Sequence, residues 1–393
     1  MSGTTDKARF FLEKSVPELK EYEKKKIFNK DEITAIIKKR SDFEHKINAR
    51  GAQPVDFVRY AQYEMNLDNL RRKRVNRLGI RSAGFSGQRR IFFVLDRATR
   101  KFHGDIGLWI QYIEYARWQK AYKKLSTILM DALRFHPTSA DLWIYAAQYS
   151  IQDHADMSQA RSYMQRGLRF CKSSKQLWIQ YAKLELIYIT KLVARQRILG
   201  LDDNIEAPKQ QASGDDLDAD MIMMPQITEE DINPSAQDND VDQQALQTLN
   251  STPALSGAIP LAIFDSAIKN FDYDDRFAHE FFDMVFEFED VPCLQKILSH
   301  VLGVMQESKS ASHHTLICYI KSPMAGIQTT SAEFPRALGA ALSRLQEHRQ
   351  KPEVAKEIIS WLRPVEKTKD LDPSIQKVIA ATIRKAELVL QEA

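Results

Sequence analysis

The segment LWIQYIEYA sets Leu108, Trp109, Tyr112, Ile113 and Ala116 at helical spacing, so one face of a helix is apolar and the opposite face polar. LWIYAAQY and LWIQYAKLELI lay the same pattern on two later stretches. The tryptophans of these three segments, Trp109, Trp143 and Trp178, stand 34 and 35 residues apart. A small residue in each preceding helix (Ala98, Ala132, Gly167) repeats with the same two spacings, eleven positions ahead of its tryptophan. Two series in register at this period predict a helical repeat. Each helix pair of such a repeat leaves an apolar face that only the next pair covers, and the small residue lets the second helix approach its neighbour closely. Pro137 ends a helix where the next unit must begin. A plain α-helical bundle explains any single tryptophan as core, but not the joint register.

Extended along the chain, the pattern predicts an all-α protein, an α-α superhelix of HAT- or TPR-like repeats. Residues 1–52 read as an N-terminal helical segment in which Asp31 serves as N-cap and Ile33, Ile36, Ile37, Phe43 and Ile47 form one stripe. Repeats fill 53–200. Residues 201–252 are Asp-, Gln-, Asn- and Ser-rich with little apolar periodicity, and are expected to be a disordered acidic insertion. Helices resume over 253–393: IPLAIFDSAIKNF carries Phe264, Asp265, Ala267 and Ile268 as in the second helix of a repeat, and the remaining C-terminal helices read as diverged repeats.

The residues within each unit separate the repeat families. Tetratricopeptide repeats want a small residue four after the tryptophan, where the first unit has Ile113. The half-a-tetratricopeptide (HAT) pattern is Trp-x-x-Tyr-x-x-x-Glu. Trp178, Tyr181 and Glu185 match it fully, and Phe57, Tyr60 and Glu64 match with an aromatic substitute. Trp109 and Tyr112 are followed by Ala116 in place of the glutamate, and Trp143 by Ala146 and Ser150. Ala160, Arg161, Met164, Arg166, Gly167 and Leu168 follow the HAT second-helix pattern. The chain resembles a HAT-repeat protein.

Charge adds an asymmetry. The net charge is +4, yet thirteen acidic residues and one basic residue, Lys209, lie between Asp202 and Asp242, leaving 55 basic against 39 acidic residues elsewhere. A basic body of this kind attracts nucleic acid or acidic protein partners. The charge concentrates between Arg71 and Lys101, with eleven Lys or Arg against Asp96 alone. Arg71, Arg72, Lys73, Arg74, Arg77, Arg81, Arg89 and Arg90 are therefore candidates for neutralising RNA phosphates, with Phe85 available to stack on a base, or for anchoring an acidic partner. Lys24 to Lys26 and Lys38 to Arg40 mimic a bipartite nuclear signal, though a charged helix surface explains them equally.

KKRSDFEHKINARG, the units around LWIYAAQY and LRFCKSSKQLWIQYAKLELIYITKL, and VARQRILGL together resemble the U3 small nucleolar RNA-associated protein 6 family. The likeness is strong over residues 1–200 and loose beyond. It implies a non-enzymatic scaffold in the UTP-B subcomplex of the small-subunit processome, in the nucleolus. It also implies β-propeller subunits as direct partners, with U3 snoRNP and pre-rRNA in the same particle, in support of processing toward 18S rRNA. A HAT scaffold for splicing or other pre-mRNA processing is the alternative; an enzyme on an α-α scaffold is a third reading, without visible clustered ligands.

Nothing in the chain reads as catalysis or cofactor binding. There is no Walker loop, GxGxxG, HExxH or GxSxG; Gly84 to Gly87 (GFSG) is expected in a loop. Cys171, Cys293 and Cys318 form no CxxC pair, which points to a reducing compartment without structural zinc or disulfides. Adjacent His313 and His314 point about 100° apart on a helix, unlike an i, i+4 metal pair. No metal or cofactor is expected. The N-terminal residues lack a signal-peptide core, and the most apolar short run, Ile91 to Leu95, is far short of a membrane span.

Overall fold

The computed structural model describes residues 4–80, 86–198, 255–289, 291–348, 351–368 and 371–392. Every regular element among them is helical, as the 34–35-residue period requires, and none is long and apolar enough to cross a membrane. The predicted acidic insertion, 201–252, lies outside the described residues. The chain divides into two compact units, residues 1–142 and 143–393.

The first unit contains α1 (Thr4–Glu13), α2 (Val16–Lys24), α3 (Lys30–Asn48), α4 (Pro54–Leu78), α5 (Ser86–Lys101), α6 (Ile106–Trp118) and α7 (Tyr122–Phe135). From α3 onward each helix packs on the next. The second unit contains α8 (Ala140–His154) apart from its first turn, α9 (Met157–Phe170), α10 (Lys175–Ile198), α11 (Ala258–Asn270), α12 (Asp275–Phe286), α13 (Leu294–Lys309), α14 (His313–Lys321), α15 (Phe334–Glu347), α16 (Pro352–Glu366) and α17 (Pro373–Glu392). Here α10 packs on α11 directly. Asn270 Nδ2 donates to the Lys172 carbonyl, and Lys175 pairs with Asp274.

Local chemistry sets the helix ends. Asp105 accepts from the Gly107 N–H at 2.9 Å and Asp156 from Gln159 at 3.0 Å, satisfying amides left open at the start of α6 and α9. Pro54 opens α4, and Gly79, with φ of +62°, closes it in the left-handed region. Helix α7 stops at Phe135, just ahead of Pro137. One expectation is corrected. Asn29, in extended conformation, precedes α3, and Glu32 accepts its N–H at 2.9 Å. Asp31 therefore sits in the first turn, not at the N-cap.

All the repeat positions read from the sequence lie inside, Trp178 partly so: Phe57, Tyr60, Glu64, Trp109, Tyr112, Trp143, Tyr181, Glu185, Ala98, Ala132 and Gly167 are buried. The indoles of Trp109 and Trp178 donate to the carbonyls of His103 and Lys172, six residues back in each case, and so pin the loop that enters the helix. Gly167 lies between two first helices. A Cβ there would sit 2.9 Å from Cγ of Trp143 and 3.3 Å from Leu177. The closest partner of this small residue is thus the tryptophan 24 positions before it, not the one eleven after. Aromatics near the ends of second helices cover the openings of first helices: Trp109 stacks with Phe135 and Trp143 with Phe170.

The predicted α3 stripe is also corrected. Ile33, Ile36 and Ile47 are buried, but Ile37 is exposed and Phe43 only half-buried, stacked on Tyr60. Arg40 and Glu44 complete the buried line instead. Arg40 meets Glu64 in a bidentate pair at 2.7 and 2.8 Å with both side chains 2% exposed, and Glu44 is gripped by Arg97 at 3.0 Å. Arg161 and Glu185 form the same bidentate pair between α9 and α10 at 2.7 Å, and a more exposed Arg363–Glu387 pair joins α16 to α17 at 2.9 Å. In all three pairs arginine precedes glutamate by 24 residues. Where the HAT glutamate is replaced, by Ala116 and Ser150, the residues 24 positions earlier are Phe92 and Ser126, so the cation is missing too. Phe92 packs on Tyr112 and Tyr115 instead.

Candidate nucleic-acid and partner interface

The basic segment is divided between the end of α4 and the start of α5, and the structure sorts its cations into two sets. Arg71 is 3% exposed and holds Asp68 at 2.8 Å. Arg72 reaches the other oxygen of Asp68, also at 2.8 Å, and lies over the Trp118 ring. Arg74 clasps Glu32 with two contacts of 2.7 Å, donates to the Ile27 carbonyl at 3.0 Å and covers Phe28. The hydrogen bond from Arg74 and that from the Asn29 N–H hold the Glu32 carboxyl down at about 2. Arg90 is largely buried, 3.6 Å from Glu18.

These four arginines serve the fold. A guanidinium engaged with Asp68, Glu32 or Glu18 is not available to a phosphate without breaking that pair, although the Arg74–Glu32 pair is partly exposed. Lys73, Arg77 and Arg89 are the exposed members of the set, and none makes an ion pair with another described residue. Arg81 and Phe85 lie outside the described residues. The aromatic that the sequence did not single out is Trp118, 61% exposed at the end of α6, under Arg72. Its position at the polar end of an otherwise apolar stripe was the available signal.

Gly87 fixes how α4 and α5 meet. It is buried in the first turn of α5, not in the loop expected of GFSG, and a Cβ there would fall 2.2 Å from Oδ1 of Asp68. That carboxylate is held by Arg71 and Arg72 and cannot swing aside freely. The basic segment is therefore also a packing joint. Arg40 of the proposed nuclear-signal run is likewise buried with Glu64, so that run presents fewer surface charges than its sequence suggests.

A cleft of about 370 Å³ opens in the first unit among α5, α6 and α7. Asp96, Asp131, Arg100, Lys124 and Arg134 line it together with Trp109, Tyr112 and Phe135, and Asp96 pairs with Arg100 at 2.9 Å. Burial pushes the Lys124 ammonium below its ordinary range, and its Nζ lies 4.4 Å from the Phe92 ring centroid. Such a mixture of signs with aromatic walls suits a peptide carrying both charges better than a polyanion. The three cysteines are buried, and burial raises each thiol above 9, away from the reactive thiolate.

A family model described as U3 small nucleolar RNA-associated protein 6 matches residues 12–93, which span the α3–α4 ion pairs and the basic segment as far as Arg90. The chain is 34% identical over 329 residues to U3 small nucleolar RNA-associated protein 6 of Schizosaccharomyces pombe, covering 77% of this chain and 66% of that protein. It is 34% identical over 185 residues to the Homo sapiens homolog of that protein, and 30% identical over 220 residues to the Dictyostelium discoideum homolog. Those alignments cover 31% and 35% of the relatives, so the chain spans less than two thirds of the curated proteins it matches.

Proposed function

Because the chain belongs to the U3 small nucleolar RNA-associated protein 6 family, we propose that it is a non-enzymatic scaffold subunit of a ribosome-biogenesis particle containing U3 snoRNP. The observation that carries this reading is the 329-residue alignment, which takes in most of the chain rather than one motif. On this reading it works in the nucleolus within the UTP-B part of the small-subunit processome and supports pre-rRNA processing toward 18S rRNA. Its direct partners are β-propeller subunits, as the family resemblance implies.

The fold supports a holding role. Its conspicuous buried ionic and aromatic groups join one helix to the next, as at Arg40–Glu64, Arg161–Glu185 and Trp143–Gly167. The mixed-charge cleft and exposed helix-end aromatics offer surfaces to proteins. We assign direct phosphate contact to Lys73, Arg77 and Arg89, not to the arginines the fold consumes. Three such contacts on single-stranded RNA give a slope of about −2 in log K against log salt, since each neutralised phosphate contributes about −0.7.

Depletion of the protein, followed by rescue with this chain, tests the role. Loss of 18S rRNA with accumulation of its unprocessed precursor, restored on rescue, is the expected result. Normal 18S rRNA together with defective pre-mRNA splicing would move the chain to another RNA machine.

A further inference from the structure

Two histidines one repeat period apart meet in the second unit. His279 of α12 and His314 of α14 are separated by 35 residues, and their Nδ1 atoms lie 3.1 Å apart. Helix α14 packs against both α12 and α16, which brings in Glu357 of α16. One nitrogen from each ring and one Glu357 oxygen lie within 4.8 Å of one another. The adjacency of His313 and His314 hid this. His313 turns to Glu353 at 3.0 Å, while His314 turns to a helix that precedes it by a full repeat.

The environment is not that of an ordinary core histidine. His279 is 6% exposed, and its Nε2 makes no hydrogen bond although Asp283 lies at 3.4 Å and Glu357 at 4.0 Å. When both Nδ1 atoms bind one ion, Nε2 of His279 carries the ring proton and faces Asp283 and Glu357. Ligand atoms about 2.0–2.1 Å from a tetrahedral zinc stand roughly 3.3 Å from each other, close to the observed N···N separation. Burial also lowers the pKa of both imidazoles, which favours the neutral rings a metal needs. Lys321 engages Asp283 at 2.8 Å, which leaves that carboxylate as a neighbour rather than a ligand.

We propose that His279, His314 and Glu357 form a binding site for a divalent transition metal of the zinc class, which clamps α12, α14 and α16 together. Two imidazoles with one carboxylate favour zinc, cobalt or nickel over magnesium or calcium, which prefer oxygen alone. Three protein ligands leave a fourth position for water.

Cobalt(II) titration of the chelator-treated 393-residue chain tests the site. One equivalent should bind with the visible absorption of tetrahedral cobalt and be displaced by zinc. His314→Ala and Glu357→Gln alter partly exposed residues, and each should weaken cobalt binding at least tenfold with unchanged helical circular dichroism. His313→Ala should bind as the parent does. Zinc should raise the melting temperature of the parent but not of Glu357→Gln. Absence of a tetrahedral cobalt spectrum in the parent would overturn the proposal. So would an undiminished spectrum in both ligand variants, because the metal would then sit elsewhere, for example on the carboxylates of 201–252.

Discussion

Charged side chains, not only aromatics, mark where one helix meets the next in this protein. Arg40 is fully enclosed, and Glu64 beside it favours its charged form against the desolvation that opposes it. Arg40→Met should leave Glu64 buried without a partner and destabilise the chain by about 3–5 kcal/mol in urea unfolding, whereas Arg40→Met combined with Glu64→Leu should recover most of that loss. Equal losses in the single and double variants would show that the pair is not the unit of stability. Gly167→Ala drives a methyl into the Trp143 ring and should cost roughly 1–3 kcal/mol; the melting temperature reads this. Acid acts through depressed carboxylates. Glu32 at about 2, against an ordinary 4.5, and Asp275 at about 2, against 3.8, are stabilised in their charged forms by the fold. Arg74 is the main cause for Glu32, and the Ser312 hydroxyl for Asp275. Their contribution is complete above about pH 4.5 and fades as pH falls toward 2. Solvent screening keeps the share of Glu32 below about 1 kcal/mol. Unfolding curves of Glu32→Gln should converge with those of the parent near pH 2. Hydrophobic periodicity could not show Arg40 and Glu44 as core, because each reads as a surface residue until its partner is known. The recurring 24-residue separation of arginine and glutamate was the sequence signal for Arg40, whereas Glu44 pairs with Arg97, 53 residues on, outside that spacing.

The helices themselves were largely readable from the chain. Trp109, Trp143 and Trp178, with their small partners, placed the repeat helices correctly because packing at a fixed period constrains residue size at fixed positions. The same marks did not show which tryptophan each small residue touches, since spacing of eleven and spacing of 24 are both compatible with a period of 35. Asp31 was mistaken for a cap because Asn29 and Asp31 are equally suited by type, and only the backbone distinguishes them. The aspartates at the heads of α6 and α9 are direct cases of capping. Asp105→Ala and Asp156→Ala should each cost about 1 kcal/mol, measurable as reduced amide protection in the first turn of the helix concerned. The basic segment was readable as charge but not as chemistry. Its eight candidate cations look alike in sequence, and what separates Arg71, Arg72, Arg74 and Arg90 from Lys73, Arg77 and Arg89 is a carboxylate brought near by folding.

That division changes how the whole protein should meet RNA. Reversing Arg71, Arg72 and Arg74 should damage the fold, so it cannot distinguish lost contact from lost structure. Lys73→Glu, Arg77→Glu and Arg89→Glu together should instead preserve the melting temperature while reducing crosslinking to pre-rRNA; unchanged crosslinking would assign the segment to protein partners. The family was readable from KKRSDFEHKINARG and the repeat units because those combine packing with surface residues that periodicity does not require. The His279–His314–Glu357 cluster was not readable, because its members lie on three helices whose packing supplies the proximity. The central claim is that the chain is a scaffold within a particle containing U3. It is tested most directly by purifying the tagged chain from cells and identifying the proteins and RNAs that come with it. Recovery of U3 snoRNA with β-propeller subunits of the processome is the expected result; recovery of splicing factors without U3 snoRNA would contradict it.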